Sequence, residues 1–104
     1  MYADVDRTKV ERAQEYLDRG LVLAMFGEAA QATRLYRLAL LLDPKNALGH
    51  YMLALVLMNQ GDTDDAIAQL REVTEIEGHG TRSEWARAEA KRLLSDHSVH
   101  HHAL

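Results

Sequence analysis

Leu21-Val22-Leu23, Gly27, Ala32 and Arg37 come back thirty-four residues later as Leu55-Val56-Leu57, Gly61, Ala66 and Arg71. An echo at a fixed interval of this size marks a chain built from a small helical unit used twice, each unit burying its apolar face by stacking on its neighbour. The second copy contains residues 46–60, whose core reads Leu48-Gly49-His50-Tyr51-Met52-Leu53-Ala54-Leu55-Val56-Leu57-Met58 and is apolar on every side of a helical wheel. A helix apolar all round has to be covered all round. This segment is therefore expected in the middle of the stack, with helices on both sides.

Local signals divide the chain into five helices. The first is expected from the capping box Thr8-Lys9-Val10-Glu11, or a turn earlier from Asp4 or Asp6, and carries one buried stripe of Val10, Ala13, Leu17, Gly20, Leu21, Ala24 and Met25 to about Phe26, where Gly27 ends it. A second helix over 28–42 places Ala32, Leu35, Tyr36, Ala39 and Leu42 on one face and stops at Asp43-Pro44, because proline excludes the helical conformation before it and offers no N–H. Asn46 is an N-cap for the central helix and Gly61 its terminator; Asp62 follows as a cap for a fourth helix with Ala66, Ile67, Leu70, Val73 and Ile76 inward. After the break Gly78-His79-Gly80, a second capping box, Thr81-Arg82-Ser83-Glu84, opens a fifth helix to about Ser95, with a charged outer face suited to ending the array.

The small residues have a physical meaning of their own. Two antiparallel helices joined by a tight turn approach closely only where Gly20, Ala32 and Ala39, and likewise Ala54 and Ala66, keep side chains out of the contact.

In the spacing of these small residues and turn glycines, residues 13–80 resemble the tetratricopeptide repeat family, whose unit is a helix-turn-helix of about 34 residues. In the first copy the family pattern falls on Tyr16, Gly20, Leu23, Gly27, Ala32, Tyr36, Ala39 and Pro44, with Arg19 standing where a leucine is expected. In the second it falls on His50, Leu53, Ala54, Leu57, Gly61, Ala66, Leu70, Val73 and Gly78, so size is kept while the aromatics and the proline are lost. The resemblance implies an all-α, right-handed helical repeat stack of about five helices. Its parts are an N-terminal extension of the first helix (1–12), repeats at 13–46 and 47–80, a C-terminal capping helix (81–95) and a histidine-rich flexible tail (96–104).

The resemblance also implies a mode of action, which is holding another protein or peptide in a concave groove lined by the first helix of each repeat. The groove is expected to receive Gln14, Leu17, Leu21 and Ala24, then Leu48, Tyr51, Leu55 and Met58, then Arg82, Trp85, Glu89 and Arg92. An open apolar patch of this kind marks a binding surface, and an amphipathic helix or extended apolar peptide fits it, with Tyr51 and Trp85 as anchors and Arg82 and Arg92 on the rim. Two other readings stand beside this one. The same leucines, and Trp85 with them, are core if the N-terminal extension or the last helix covers them; and a homo-oligomer that buries the groove would stabilise so short a stack. The acidic C-terminal tails of chaperones, which some family members grip through lysine, asparagine and arginine, are not expected here. The corresponding places hold Leu17, Leu21, Met52, Arg82 and Ala86, and only Arg82 fits. An apolar groove is closer to scaffold or chaperone-like members that shield assembly-prone partners.

Composition removes other classes. A net charge of −4 argues for neither nucleic acid nor an anionic membrane surface, and no run is long enough to span a bilayer. There is no cysteine, hence no disulfide framework and no thiolate chemistry. Residues 1–7 carry acids and no apolar targeting core, so a cytoplasmic protein is expected. No phosphate loop, nucleophile motif or histidine–carboxylate pair points to an enzyme, and no cofactor is implied. His50 falls where the family packs a bulky residue; His97, His100, His101 and His102 lack a rigid frame for a metal; Asp62, Asp64 and Asp65 suit a helix start rather than a calcium loop. Glu72, Glu75 and Glu77 are expected to face Arg82, Arg87 and Lys91, while Arg34, Arg37 and Arg71 make a solvated basic strip on the convex side.

Overall fold

The computed structural model describes the backbone of residues 2–78 and 81–103 and the side chains of residues 7–78 and 82–96. The chain is all-α: α1 (Tyr2–Met25), α2 (Ala29–Leu42), α3 (Ala47–Asn59), α4 (Thr63–Glu75) and α5 (Thr81–Ala103). α1 pairs with α2 and α3 with α4 as helical hairpins; α2 packs on α3, and α5 closes the stack against α3 and α4.

The two hairpin turns repeat atom for atom. After α1 the Glu28 N–H donates to the Leu23 carbonyl (2.8 Å) and the Gly27 N–H to that of Ala24 (3.1 Å); after α3 Asp62 donates to Leu57 (2.9 Å) and Gly61 to Met58 (3.1 Å). This is the Schellman arrangement, which needs a left-handed residue at its fifth place, and Gly27 and Gly61 supply it at φ 83° and 88°. The sequence echo is thus an echo of backbone geometry. At the other connection Asn46 caps α3, its Oδ1 accepting from the Gly49 N–H at 2.9 Å. Asp62 occupies the N-cap place of α4 without a side-chain bond, so its expected capping role is confined to its charge beside Asp64 and Asp65 at the positive end of the helix.

α3 is covered on both sides. Its Leu53, Val56 and Leu57 join Ala13, Leu17, Ala32, Tyr36, Ala39 and Ala66 in one core. Its Ala47, Tyr51 and Ala54 join Leu70, Val73, Ile76, Ala86 and Ala90 in the other. α2 comes close to α1 at Gly20, which is buried and where a β-carbon would collide with the Tyr36 ring.

Two helices outrun the sequence expectation. α1 begins at Tyr2, so Thr8 lies inside it rather than at its cap, and α5 continues past Ser95 to Ala103. The cause is the same at both places: neither residues 2–19 nor residues 81–103 contain a glycine or proline to stop a helix. The tail expected to be flexible from Asp96 therefore has helical backbone as far as Ala103. The side chains of His97, His100, His101 and His102, together with His79, Gly80 and the Thr81 capping hydroxyl, lie outside the described residues. No helix among the described residues is long and apolar enough to cross a membrane.

Candidate partner-binding groove

α1, α3 and α5 run side by side along one face, and their register follows from what they share. Gln14, Leu48 and Arg82 line one hollow of about 220 Å3, together with Lys45 and Asn46 from the loop before α3. Further along, Ala24 and Gly27 meet Leu55, Val56 and Asn59 around a second hollow of about 280 Å3. Between the two ends Trp85 of α5 meets Tyr51 of α3 edge-on, with ring centroids 5.1 Å apart and planes at 80°, the favoured T-shaped geometry.

The expected groove residues divide into two groups. Leu17 and Tyr51 belong to the core and offer a partner almost nothing. Leu17 is buried because α3 crosses at Gly49, whose missing side chain lets the Leu17 and Leu40 methyls close to 3.5 and 3.0 Å of where a β-carbon would stand. Tyr51 is buried beneath Trp85. In contrast Leu21, Leu55, Met58 and Trp85 are 39–50% exposed and Leu48 is half-buried. The apolar surface thus gathers at the turn end of the face, next to Met25 and Phe26, which are 76% and 80% exposed. Neither belongs to the expected groove, and Met25, with Val10 and Leu21, is exposed where a buried stripe was expected, because no helix among the described residues covers that side of α1. The available signal at Phe26 was an aromatic immediately before a turn glycine, with only the small side chains of Ala29 and Ala30 at helical spacing beyond the turn.

The polar rim is also uneven. Arg82 is exposed at the far end. Arg92 is committed within its own helix, bonding Glu89 at 2.8 Å and Asp96 at 3.2 Å. Burial raises the Tyr51 phenol above its ordinary value, Glu89 pushes it further the same way, and Arg92 opposes them. The expected ion pairs between α4 and α5 do not form among the described residues. Arg87 instead donates to the Ile76 carbonyl at 3.0 Å, which satisfies the end of α4.

The repeat pattern occupies contact positions. Ala32, Tyr36, Ala39, Ala54, Leu57 and Ala66 are buried, Tyr16 and Leu23 pack against the core, and Pro44 is exposed in the turn before α3. A tetratricopeptide repeat model matches residues 23–94. The chain belongs to the tetratricopeptide repeat family. No curated protein matches it. Tetratricopeptide repeats generally mediate protein–protein interaction, and modules of this family are typically non-enzymatic.

His50 departs from a plain packing residue. Its Nε2–H donates to the Pro44 carbonyl at 2.8 Å, and its Nδ1 pairs with the Gln69 side-chain amide at 2.7 Å. The ring ties the turn that closes the first tetratricopeptide unit to the second helix of the next. Periodicity alone gives no hint of such a bridge.

Proposed function

We propose that this tetratricopeptide chain is a non-catalytic protein-interaction module that takes the apolar face of an amphipathic helix, or an extended apolar peptide, on the surface made by α1, α3 and α5. Leu21, Leu55 and Met58 form its apolar floor, Trp85 is the aromatic anchor, and Arg82 marks the polar end. The observation that carries this reading is that α1, α3 and α5, which share one face, each carry apolar side chains that are 39–50% exposed. The acidic chaperone tail remains an unsuitable ligand, since Leu17 and Ala86, at two of the places where a carboxylate clamp needs polar groups, are buried and apolar. The test is Leu55→Asp: a charge on a half-exposed position leaves the melting temperature within about 2 °C while abolishing capture of a partner isolated with the parent chain. Capture undiminished in a folded Leu55→Asp protein places the binding surface elsewhere.

The largely exposed Met25 and Phe26 favour a second reading, in which another copy covers the turn end of the groove. Sedimentation velocity over a wide concentration range separates the two: a dimer lost on Phe26→Ser supports self-association, and a monomer at all concentrations removes it.

A further inference from the structure

α2 is the only charged helix of this acidic chain that carries no acid: Arg34 and Arg37 are its sole charges. Neither arginine has an ion pair or hydrogen bond among the described residues. They share an exposed stripe with Leu38 and Leu41, at i, i+3, i+4 and i+7, on the side of the molecule away from the α1–α3–α5 groove. Beside this stripe opens a cleft of about 420 Å3 between α2, α3 and α4, lined by Arg37, Leu40, Leu41, His50, Leu53 and Gln69.

The cleft is built to take apolar matter. Leu53 forms a buried floor, Leu40 a half-buried wall, and His50, with both ring nitrogens already engaged by Pro44 and Gln69, presents ring surface rather than a free donor. Charge fixes the orientation of what enters. On the α2 side Arg37 lines the cleft with Arg34 one turn before it and no acid in the helix, whereas Asp65 and Glu72 flank Gln69 one turn away on either side along α4. An incoming carboxylate is therefore drawn to α2 and repelled from α4. The open side argues for a polypeptide over a free small molecule, which binds by burying most of its surface: Leu41 is 78% exposed, and covering it requires a segment lying along α2 for about 10 Å, the length from Arg34 to Leu41.

From this complementarity we infer that the convex cleft is a second docking site, for an acidic polypeptide segment that inserts a leucine- or phenylalanine-sized side chain over Leu53 and pairs glutamate or aspartate with Arg37 and Arg34.

The probe is a synthetic amidated helical peptide with leucines on one face and glutamates on the flanks, and its twin with lysine for every glutamate. Methyl NMR of the full chain reads where each binds. The acidic peptide shifts the Leu38, Leu40, Leu41 and Leu53 methyls saturably, leaves those of Leu21 and Leu55 in place, and weakens with added salt. Arg37→Glu and Leu41→Ser, both at exposed positions, each weaken it about tenfold or more, and the lysine twin binds weaker by a similar factor. The inference is overturned if the acidic peptide shifts the Leu21 and Leu55 methyls instead, if it does not bind, or if Arg37→Glu leaves its affinity unchanged. It is equally overturned if the Leu41 methyl shifts on dilution without peptide, which would make a second copy the occupant.

Discussion

Gly20→Ala is the substitution on which local propensity and tertiary packing disagree in sign. Position 20 lies well inside α1, where alanine in place of glycine is favoured by about 0.5–1 kcal/mol because less backbone freedom is lost on folding. Against this, the new β-carbon would stand 2.7 Å from Cδ1 of Tyr36, closer still to Cε1, and 3.2 Å from Cζ. The ring has nowhere to withdraw, since Tyr36 is among the largest fully buried side chains and is held by Ala13, Ala32 and Ala39. Overpacking of this kind costs about 1–3 kcal/mol, and a clash with three ring atoms lies at the upper end. The expected net is a loss of about 2 kcal/mol, or a fall in melting temperature of about 8–16 °C for a chain of this size. Thermal unfolding followed by circular dichroism reads this directly. A double-mutant cycle assigns the cause: in the Tyr36→Leu background, where the ring is gone, Gly20→Ala becomes neutral or stabilising, giving a coupling of about 1 kcal/mol or more. A Gly20→Ala protein that melts at or above the parent temperature refutes the close approach of α1 and α2.

Other outcomes follow from the same packing. Leu17→Ala, at a fully buried site, costs about 2–5 kcal/mol, whereas Leu21→Ala one turn later stays within about 0.5 kcal/mol; equal losses in urea unfolding would contradict the division of the expected groove into core and surface. Asn46→Ala removes the acceptor for the Gly49 N–H and the 3.1 Å bond to Asp43, for a loss of about 1 kcal/mol or more in urea unfolding; Asn46→Asp returns the acceptor but sets a second carboxylate against Asp43, so it recovers only part of the loss. Burial raises the phenol of Tyr36, and burial followed by Glu89 raises that of Tyr51. The unfolded chain therefore ionises first, and stability that is intact below pH 10 falls as pH rises above it. Tyr36→Phe and Tyr51→Phe flatten that alkaline loss; a melting temperature unchanged between pH 9 and 11 would show that the phenols are not protected.

The features legible in the sequence are those whose meaning is local. Gly27 and Gly61 announce left-handed turns because no other residue adopts that backbone cheaply, and both turns form. The alanines at 32, 39, 54 and 66 announce close helix contacts because only small side chains fit there. Leu17 and Leu21 show the limit. They lie one turn apart on one stripe, and no periodicity separates them. What separates them is a glycine on another helix, since Gly49 lets Leu17 reach α3 while Leu21 finds no such gap. Charge pairing fails for a related reason. Arg92 has acids three residues before and four after it in its own helix, and such neighbours are met without the positioning of a second helix that Glu72, Glu75 and Glu77 would require. The ends of α1 and α5 escaped because a helix without a breaker gives no sign of where it stops.

The division of the groove has an energetic consequence that centres on Trp85. α5 is held to α3 and α4 by the buried Ala86 and Ala90, by Leu93 and Leu94 packed against the same core, and by the Arg87 bond to the Ile76 carbonyl. To these the indole lying edge-on over Tyr51 adds a further contact between α5 and α3. Half of that indole is in water. A partner that covers Leu55 and Trp85 removes the exposed half from solvent and presses α5 onto α3 in the same act. On the proposed function, binding at the groove and docking of the last helix are for this reason linked equilibria. A change that loosens α5 without touching the groove, such as loss of the Arg87 bond, must then lower partner affinity by the fraction of molecules in which α5 is undocked.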